Sequence, residues 1–324
     1  GPNVSFSNCS LPFYLSGIVE KSDNLVLMSP ERFKNQYNIN AKVNHEVIKI
    51  NPENKTIDVE NLNNGDITTE NYDVLMLSPG ANPIRPNIQG INNPNVFTVR
   101  NVPDVTNIKN YLENNEAKEV AIVGGGFIGI EVAENLHLAG YKITIIEALD
   151  QILNNFDYDM VQILHKEMMD KGINLVLSDA IAKIADDKVE LASGKELPAD
   201  AVIMAIGVSP ETSLARDAGL EIGSTGGIKV NANYKTSDPN IYAVGDAIEV
   251  FNSLTNKPTR LALAGPAQMQ ARSAANNMYG ENDRNTGVIP ARHRCRSRSR
   301  TIPGEYSLLK KSSSTLPTVK VKLF

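Results

Sequence analysis

Over the first ninety residues the apolar positions come in short runs cut by polar clusters. Residues 4–9 read as an extended run, and residues 12–15 suit a short helix because Pro12 is tolerated in a first helical turn. Residues 25–28 form a short strand pattern, and residues 30–33 open a helix. Residues 45–50, 55–60 and 67–72 are strand-like, with Asn64-Gly65 predicting a two-residue hairpin between the last two. Val74-Leu75-Met76-Leu77 is continuously apolar, the signature of a strand buried on both faces. Residues 82–90, with Pro83 and Pro86, read as a linker.

Beyond residue 100 the period changes. Residues 102–113 predict a helix. Residues 119–123 predict a strand that runs into glycines, and a helical stripe of Ile128, Val132, Ala133, Leu136 and Ala139 follows, ended by Gly140. Residues 142–146 make the next strand, 158–171 an amphipathic helix stopped by Gly172, and 173–177 another strand. Residues 188–191 pair with the segment after Gly194 as a hairpin. Residues 201–206 and 241–244 are further strands, and residues 261–278 hold a helix rich in small residues. Strands and helices alternate, which predicts an α/β fold with a mainly parallel sheet.

The glycines are the sharpest chemical signal. Gly124, Gly126 and Gly129 stand as G-x-G-x-x-G between a strand and a helix, and Glu147 closes the following strand. That is the dinucleotide fingerprint. Gly124 permits the tight turn, Gly126 lets a pyrophosphate approach the backbone, and Gly129 lets helix and strand pack closely. The helix start, with Phe127 and Ile128, presents unpaired N–H groups and a partial positive charge to phosphate. Glu147 would accept hydrogen bonds from a ribose diol and repel a 2′-phosphate, so NADH is expected ahead of NADPH.

Three other stretches sit where ligands collect, at the carboxyl ends of buried strands. They are Ser78-Pro79-Gly80, the turn at Gly207, and Gly245-Asp246, whose carboxylate could accept from a polyol. The helix beginning near Ala264, Gly265 and Ala267 could turn its positive end toward electron-rich ligand atoms. Cys9 lies at or just before the start of a short helix, where a thiolate is stabilised; a buried, inert thiol is the competing reading.

Composition narrows the classes. The chain has 324 residues, 41% of them hydrophobic, enough for roughly two domains with real cores. No apolar run has the ~20 residues that cross a bilayer, and the first residues do not read as a secretory signal. Cys9 and Cys295 do not form a disulfide framework, so a cytoplasmic location is expected. There is no metal-ligand spacing, and the four histidines are scattered. Net charge is −5, but residues 291–324 carry +8, which leaves −13 on the rest. An acidic body argues against nucleic acid as its partner.

Together these residues resemble the flavoprotein pyridine-nucleotide-disulfide oxidoreductases, and more narrowly their single-cysteine branch of coenzyme A-disulfide reductases, NADH oxidases and NADH peroxidases. The carrying motifs are Ser5-Phe6-Ser7-Asn8-Cys9-Ser10-Leu11-Pro12-Phe13-Tyr14, Ser78-Pro79-Gly80-Ala81, the stretch from Gly124 to Glu131, Ile241-Tyr242-Ala243-Val244-Gly245-Asp246, and Leu263-Ala264-Gly265-Pro266-Ala267. The resemblance implies FAD and NADH as cofactors. Cys9 would be the redox thiol beside the flavin, Asp246 would hold ribityl oxygens, and the helix start at Ala264–Ala267 would meet the flavin ring. Phe127 would gate the nicotinamide, with Glu131 near the flavin–nicotinamide junction. It also implies two doubly wound domains, an NAD domain at residues 101–228 inserted in a flavin domain from 1–100 and 229–289.

Without C-x-x-C, the oxidised cysteine must be a mixed disulfide or a sulfenic acid. Coenzyme A disulfide is the expected substrate on the resemblance. An oxidase or peroxidase, and an inactive fragment that binds NADH without flavin, are the alternatives. Two features depart from the family pattern. The family's own N-terminal G-x-G-x-x-G unit for FAD is absent ahead of Cys9. Its C-terminal interface domain, which makes the homodimer, is replaced at residues 290–324 by an Arg-rich stretch expected to be disordered.

Overall fold

The computed structural model describes residues 1–281 and the backbone of residues 321–323. The Arg-rich stretch expected to be disordered lies outside the described residues except for Val321–Leu323, which form a strand. The chain divides into two compact units: Gly1–His45 with Asn82–Ser209, and Glu46–Ala81 with Pro210–Phe324.

The first unit is built on five parallel strands. Their order across the sheet is Asn174–Val176, Lys142–Ile146, Glu119–Val123, Ala201–Met204 and Val96–Thr98. Alternation along each strand sends side chains to opposite faces. Val120, Ile122, Ile143, Ile145, Ala201 and Ile203 join one core, which also contains the apolar stripes of the helices Val102–Asn114, Phe127–Leu138 and Tyr158–Asp170. Ala121, Val123, Ile146, Val202 and Met204 join the other. That second face is covered by a three-stranded antiparallel sheet, Ile181–Ile184, Lys188–Leu191 and Glu196–Pro198, rather than by helices. The hairpin expected at 188–191 is thus present, with an added edge strand that its short apolar run did not announce.

The helix Val102–Asn114 shows how local sequence fixes an element. The Asn101 side chain accepts from the Asp104 N–H at 2.9 Å as its cap, and Pro103 occupies the first turn. Val105, Ile108 and Leu112 face inward at helical spacing, each side chain contributing roughly 1.5–3 kcal/mol on burial. The short helix Leu11–Leu15 buries Leu11, Tyr14 and Leu15 in the same core. Ser16 Oγ donates to Asn135 Oδ1 at 2.7 Å, and Lys109 Nζ lies 4.7 Å from the Tyr14 ring centroid. By packing, residues 1–45 therefore group with the glycine-turn unit, although the sequence reading attached them to the flavin part.

The second unit holds the strand Val74–Leu77 between two parallel partners, Ile241–Ala243 and Val321–Leu323. Thr56–Asn61 and Ile67–Asn71 pair antiparallel, and His45–Asn51 lies on the other side of Thr56–Asn61 in the same sheet. The expected two-residue Asn-Gly hairpin is a longer loop, because its strands stop at Asn61 and resume at Ile67. Asn61 and Asn64 side chains accept from the N–H groups of Asn63 and Asp66, which stabilises the wider turn. Among the described residues no helix is long and apolar enough to cross a membrane.

Candidate functional site

The glycine turn sits where the strand Glu119–Val123 meets the helix Phe127–Leu138. Each glycine does a separate job. Gly124 has φ +108°, and a Cβ there would lie 2.5 Å from the Ala205 carbonyl oxygen. A Cβ on Gly129 would lie 2.1 Å from the Gly124 carbonyl oxygen, so helix and strand touch at this point. A Cβ on Gly126 would meet nothing within 4 Å. Gly126 is the residue that caps the helix, and its side carries no capping side chain. Gly126, Phe127 and Ile128 are exposed, so the first N–H groups of the helix face open space. The buried helix face is Gly129, Val132, Ala133 and Leu136. Ile128 and Ala139, expected on that face, are exposed instead. Ile128 is the second helical residue and Ala139 follows the last.

This turn lines a cavity of about 510 Å³, whose other walls include Glu147, Leu153, Asp179 and Gly207. Glu147 ends its strand half-buried, and both carboxylate oxygens face backbone amides. Oε2 accepts from the Gly125 N–H at 2.7 Å, and Oε1 accepts from the Leu149 N–H at 3.0 Å. The carboxylate thus ties the glycine turn to the next strand's end while its remaining lone pairs stay available. Gly207 has φ +115°, and its carbonyl accepts from the Ile84 N–H at 3.0 Å. Phe127 meets Phe156 edge-on at 6.1 Å between ring centroids. Glu131 follows one turn later. It is exposed, yet desolvation beside the helix, and then the charge of Glu134, push its carboxyl above the ordinary 4.5.

Cys9 belongs to the 3-10 turn Asn8–Ser10 that leads directly into the helix Leu11–Leu15. Its thiol is free and exposed, not the buried inert sulfur of the competing reading. Ser7 Oγ and Ser10 Oγ, 2.7 Å apart, brace the turn on either side of it.

In the second unit, Ser78-Pro79-Gly80 and Gly245-Asp246 follow the carboxyl ends of adjacent parallel strands, paired Leu77 to Ala243. Gly80 and Gly245 both take positive φ, +77° and +81°. Asp246 lies in the 3-10 turn Gly245–Ala247 and is half-buried. The helix Ala264–Met278 begins beside this turn: a Cβ on Gly245 would come 4.0 Å from Ala267 Cβ, and Ala264 and Gly265 are exposed. Gln270, one turn further along, is 3% exposed, and its Oε1 accepts from the Gly245 N–H at 2.8 Å. Sequence reasoning missed Gln270, since a lone glutamine in a helix carries no signal. It also missed Leu153 and Asp179 on the cavity wall. Among the described residues no group of His, Cys, Asp and Glu is arranged to hold a metal.

Residues 1–271 match the family described as pyridine nucleotide-disulphide oxidoreductase. A protein named NADH oxidase from Methanocaldococcus jannaschii is 37% identical over 281 residues, which is 86% of this chain and 62% of that one. A coenzyme A disulfide reductase from Staphylococcus epidermidis is 34% identical over 278 residues, covering 86% of this chain and 63% of its own. The crystal structure of reduced CoADR-RHD from Bacillus anthracis superposes with a TM-score of 0.86 at 41% identity, over 89% of this chain and 52% of that one. The chain thus spans just under two thirds of the curated relatives it matches.

Proposed function

The chain belongs to the pyridine nucleotide-disulphide oxidoreductase family, and on that premise we propose that it passes electrons from NADH through FAD to Cys9, which reduces a small disulfide. The observation that carries this reading is the bare Gly126 turn opening on a cavity whose wall includes the Glu147 carboxylate. The N–H groups at the start of the helix Phe127–Leu138 would hold the NADH pyrophosphate, and Glu147 the adenosine ribose. A 2′-phosphate would meet the same carboxylate, so NADH is favoured over NADPH.

For FAD, Asp246 would accept from the ribityl hydroxyls. Ser78–Gly80 and the helix start at Ala264–Ala267 would lie along the rest of the isoalloxazine end. The two turns at adjacent strand ends, with a helix N-terminus beside one of them, fit such a group. When bound, FAD supplies the relay of an electron pair from NADH to sulfur. The sulfur chemistry belongs to Cys9. Its thiolate attacks one sulfur of the disulfide, forms a mixed disulfide and expels one thiolate. Two electrons and one proton then break the mixed disulfide, which restores the Cys9 thiolate and releases the second thiol. Coenzyme A disulfide is the preferred substrate, from the Ser10-Leu11-Pro12-Phe13-Tyr14 context and from the activity for which the staphylococcal relative is named.

The name of the Methanocaldococcus relative favours a second reading, in which oxygen or peroxide replaces the disulfide. With peroxide, the Cys9 thiolate would take one oxygen to become a sulfenic acid as the O–O bond breaks and the other oxygen takes a proton and leaves as water, and two electrons with two protons would return it to thiol and a second water. The family homodimer is part of the same proposal. The visible spectrum of the purified protein, followed by NADH consumption with coenzyme A disulfide, oxygen or peroxide, tests all of this. A flavin band and disulfide-dependent turnover support the first reading. A colourless protein that takes up no FAD supports an inactive fragment that binds only NADH.

A further inference from the structure

Residues 148–156 have no regular structure, yet they cross the outside of the glycine turn at close range. The Leu153 N–H donates to the Gly125 carbonyl at 2.9 Å. The fully buried Ile152 side chain lies against Gly125 so closely that a Cβ there would come 2.5 Å from Ile152 Cγ2. Leu153 and Asn154 line the cavity, and Phe156 meets Phe127 at the helix start. The segment is a strap with one face on the turn and one on the cavity. It is not relaxed: Leu153 has φ +46°, a conformation that bulky residues avoid and that persists only where neighbours impose it.

A buried side chain lies behind the strap. His165, on the helix Tyr158–Asp170, is 5% exposed. Its Nε2 accepts from the Ile152 N–H at 3.3 Å, which leaves the proton on Nδ1 to be donated to Gln162 Oε1, also at 3.3 Å. Burial lowers the imidazole pKa below its ordinary 6.5, which keeps the lone pair on Nε2 at neutral pH. Gln151, likewise buried, ties the far end by donating from Nε2 to the Phe156 carbonyl at 3.0 Å.

We infer that His165 is a positioning residue for the dinucleotide cleft: through Ile152 it holds the strap 148–156 against Gly125, so that Leu153 and Asn154 form the wall a bound dinucleotide packs on. The inference rests on the proposed nucleotide reading for its ligand, but the placement of the strap does not. A free strap would have to pay the ordering of Leu153 at each binding event, and His165 removes that cost beforehand.

Two readouts on the whole chain test this. Hydrogen exchange at the amides of Ile152 and Leu153 reports the strap without ligand, and an NADH titration reports the cleft. His165→Leu keeps an apolar body but removes the acceptor, whereas His165→Gln keeps an acceptor oxygen. The expected result is that His165→Leu loses protection at both amides and binds NADH about tenfold more weakly, the scale of one lost hydrogen bond. His165→Gln should stay within about threefold of the parent on both. Parental behaviour of His165→Leu, or equal damage in both variants, overturns the inference. So does an unprotected Ile152 amide in the folded parent protein, which needs no variant. A parent that binds no NADH, with exchange that still follows the acceptor, overturns the nucleotide reading and leaves the strap's dependence on His165 standing.

Discussion

The Glu147 carboxylate accepts the Gly125 N–H at 2.7 Å, so the acid that ends one strand holds the turn that begins the neighbouring helix. Its second oxygen takes the Leu149 N–H at 3.0 Å. Glu147 thus shapes the cleft before any ribose arrives. Glu147→Ala should strip both amides of a charged acceptor, an effect of about 1.5–3 kcal/mol for each such bond. NADH affinity should fall at least about tenfold, and NADPH should lose less because the repelling charge has gone. Titration of both nucleotides against parent and variant checks this. An unchanged preference would remove Glu147 from the discrimination.

The three fingerprint glycines should separate under alanine substitution. Gly129→Ala drives a Cβ to 2.1 Å from the Gly124 carbonyl oxygen, and Gly124→Ala adds both a clash and a positive φ. Each should cost about 1–3 kcal/mol or more and lower the melting temperature. Gly126→Ala meets open space, so the protein should melt like the parent while NADH binding weakens. Thermal melts and NADH titrations on the three variants make the test. A Gly126→Ala protein that binds normally would mean that no ligand approaches that backbone.

Much of this was legible in the sequence because it is local. The glycine turn, its flanking strands and the acid at the next strand's end each follow from a few adjacent residues. The strap was not legible. Its contact between Ile152 and Gly125 joins residues 27 apart and imposes no period on the segment between Ala148 and Asp157. Exposure of Ile128 and Ala139 escaped for a related reason, since a helical stripe predicts which face is buried but not where its cover ends. The placement of residues 1–45 escaped too, because it depends on Leu11, Tyr14 and Leu15 finding a distant core rather than the neighbouring sheet.

Gln270 links the helix Ala264–Met278 to the turn that carries Asp246. Gln270→Leu would leave the Gly245 N–H without its acceptor at a cost of about 1–3 kcal/mol. Because that turn presents Asp246, the variant should also retain less flavin on purification than the parent. The ratio of flavin to protein absorbance, with a melt as control, reports both. Full flavin content at a lowered melting temperature would confine Gln270 to stability.

Glu131 gives a pH prediction. Desolvation beside the helix, then the charge of Glu134, raise its folded pKa above the ordinary 4.5 although the side chain is exposed, so the folded state holds its proton slightly more tightly than the unfolded chain does. The stability this lends is complete below 4.5 and is lost as pH rises through the folded value. At neutral pH the ionised carboxylate is therefore a cost, and Glu131→Gln should melt higher than the parent at pH 7 and similarly at pH 4. Melting curves across that range check the sign. A variant that is less stable at neutral pH would contradict it.

The most direct test of the account is the rate of NADH consumption with coenzyme A disulfide in the flavin-loaded protein, parent against Cys9→Ser. Turnover is expected in the parent and none above background in Cys9→Ser, with NADH binding equal in the two. Disulfide reduction at the parental rate by Cys9→Ser would contradict it.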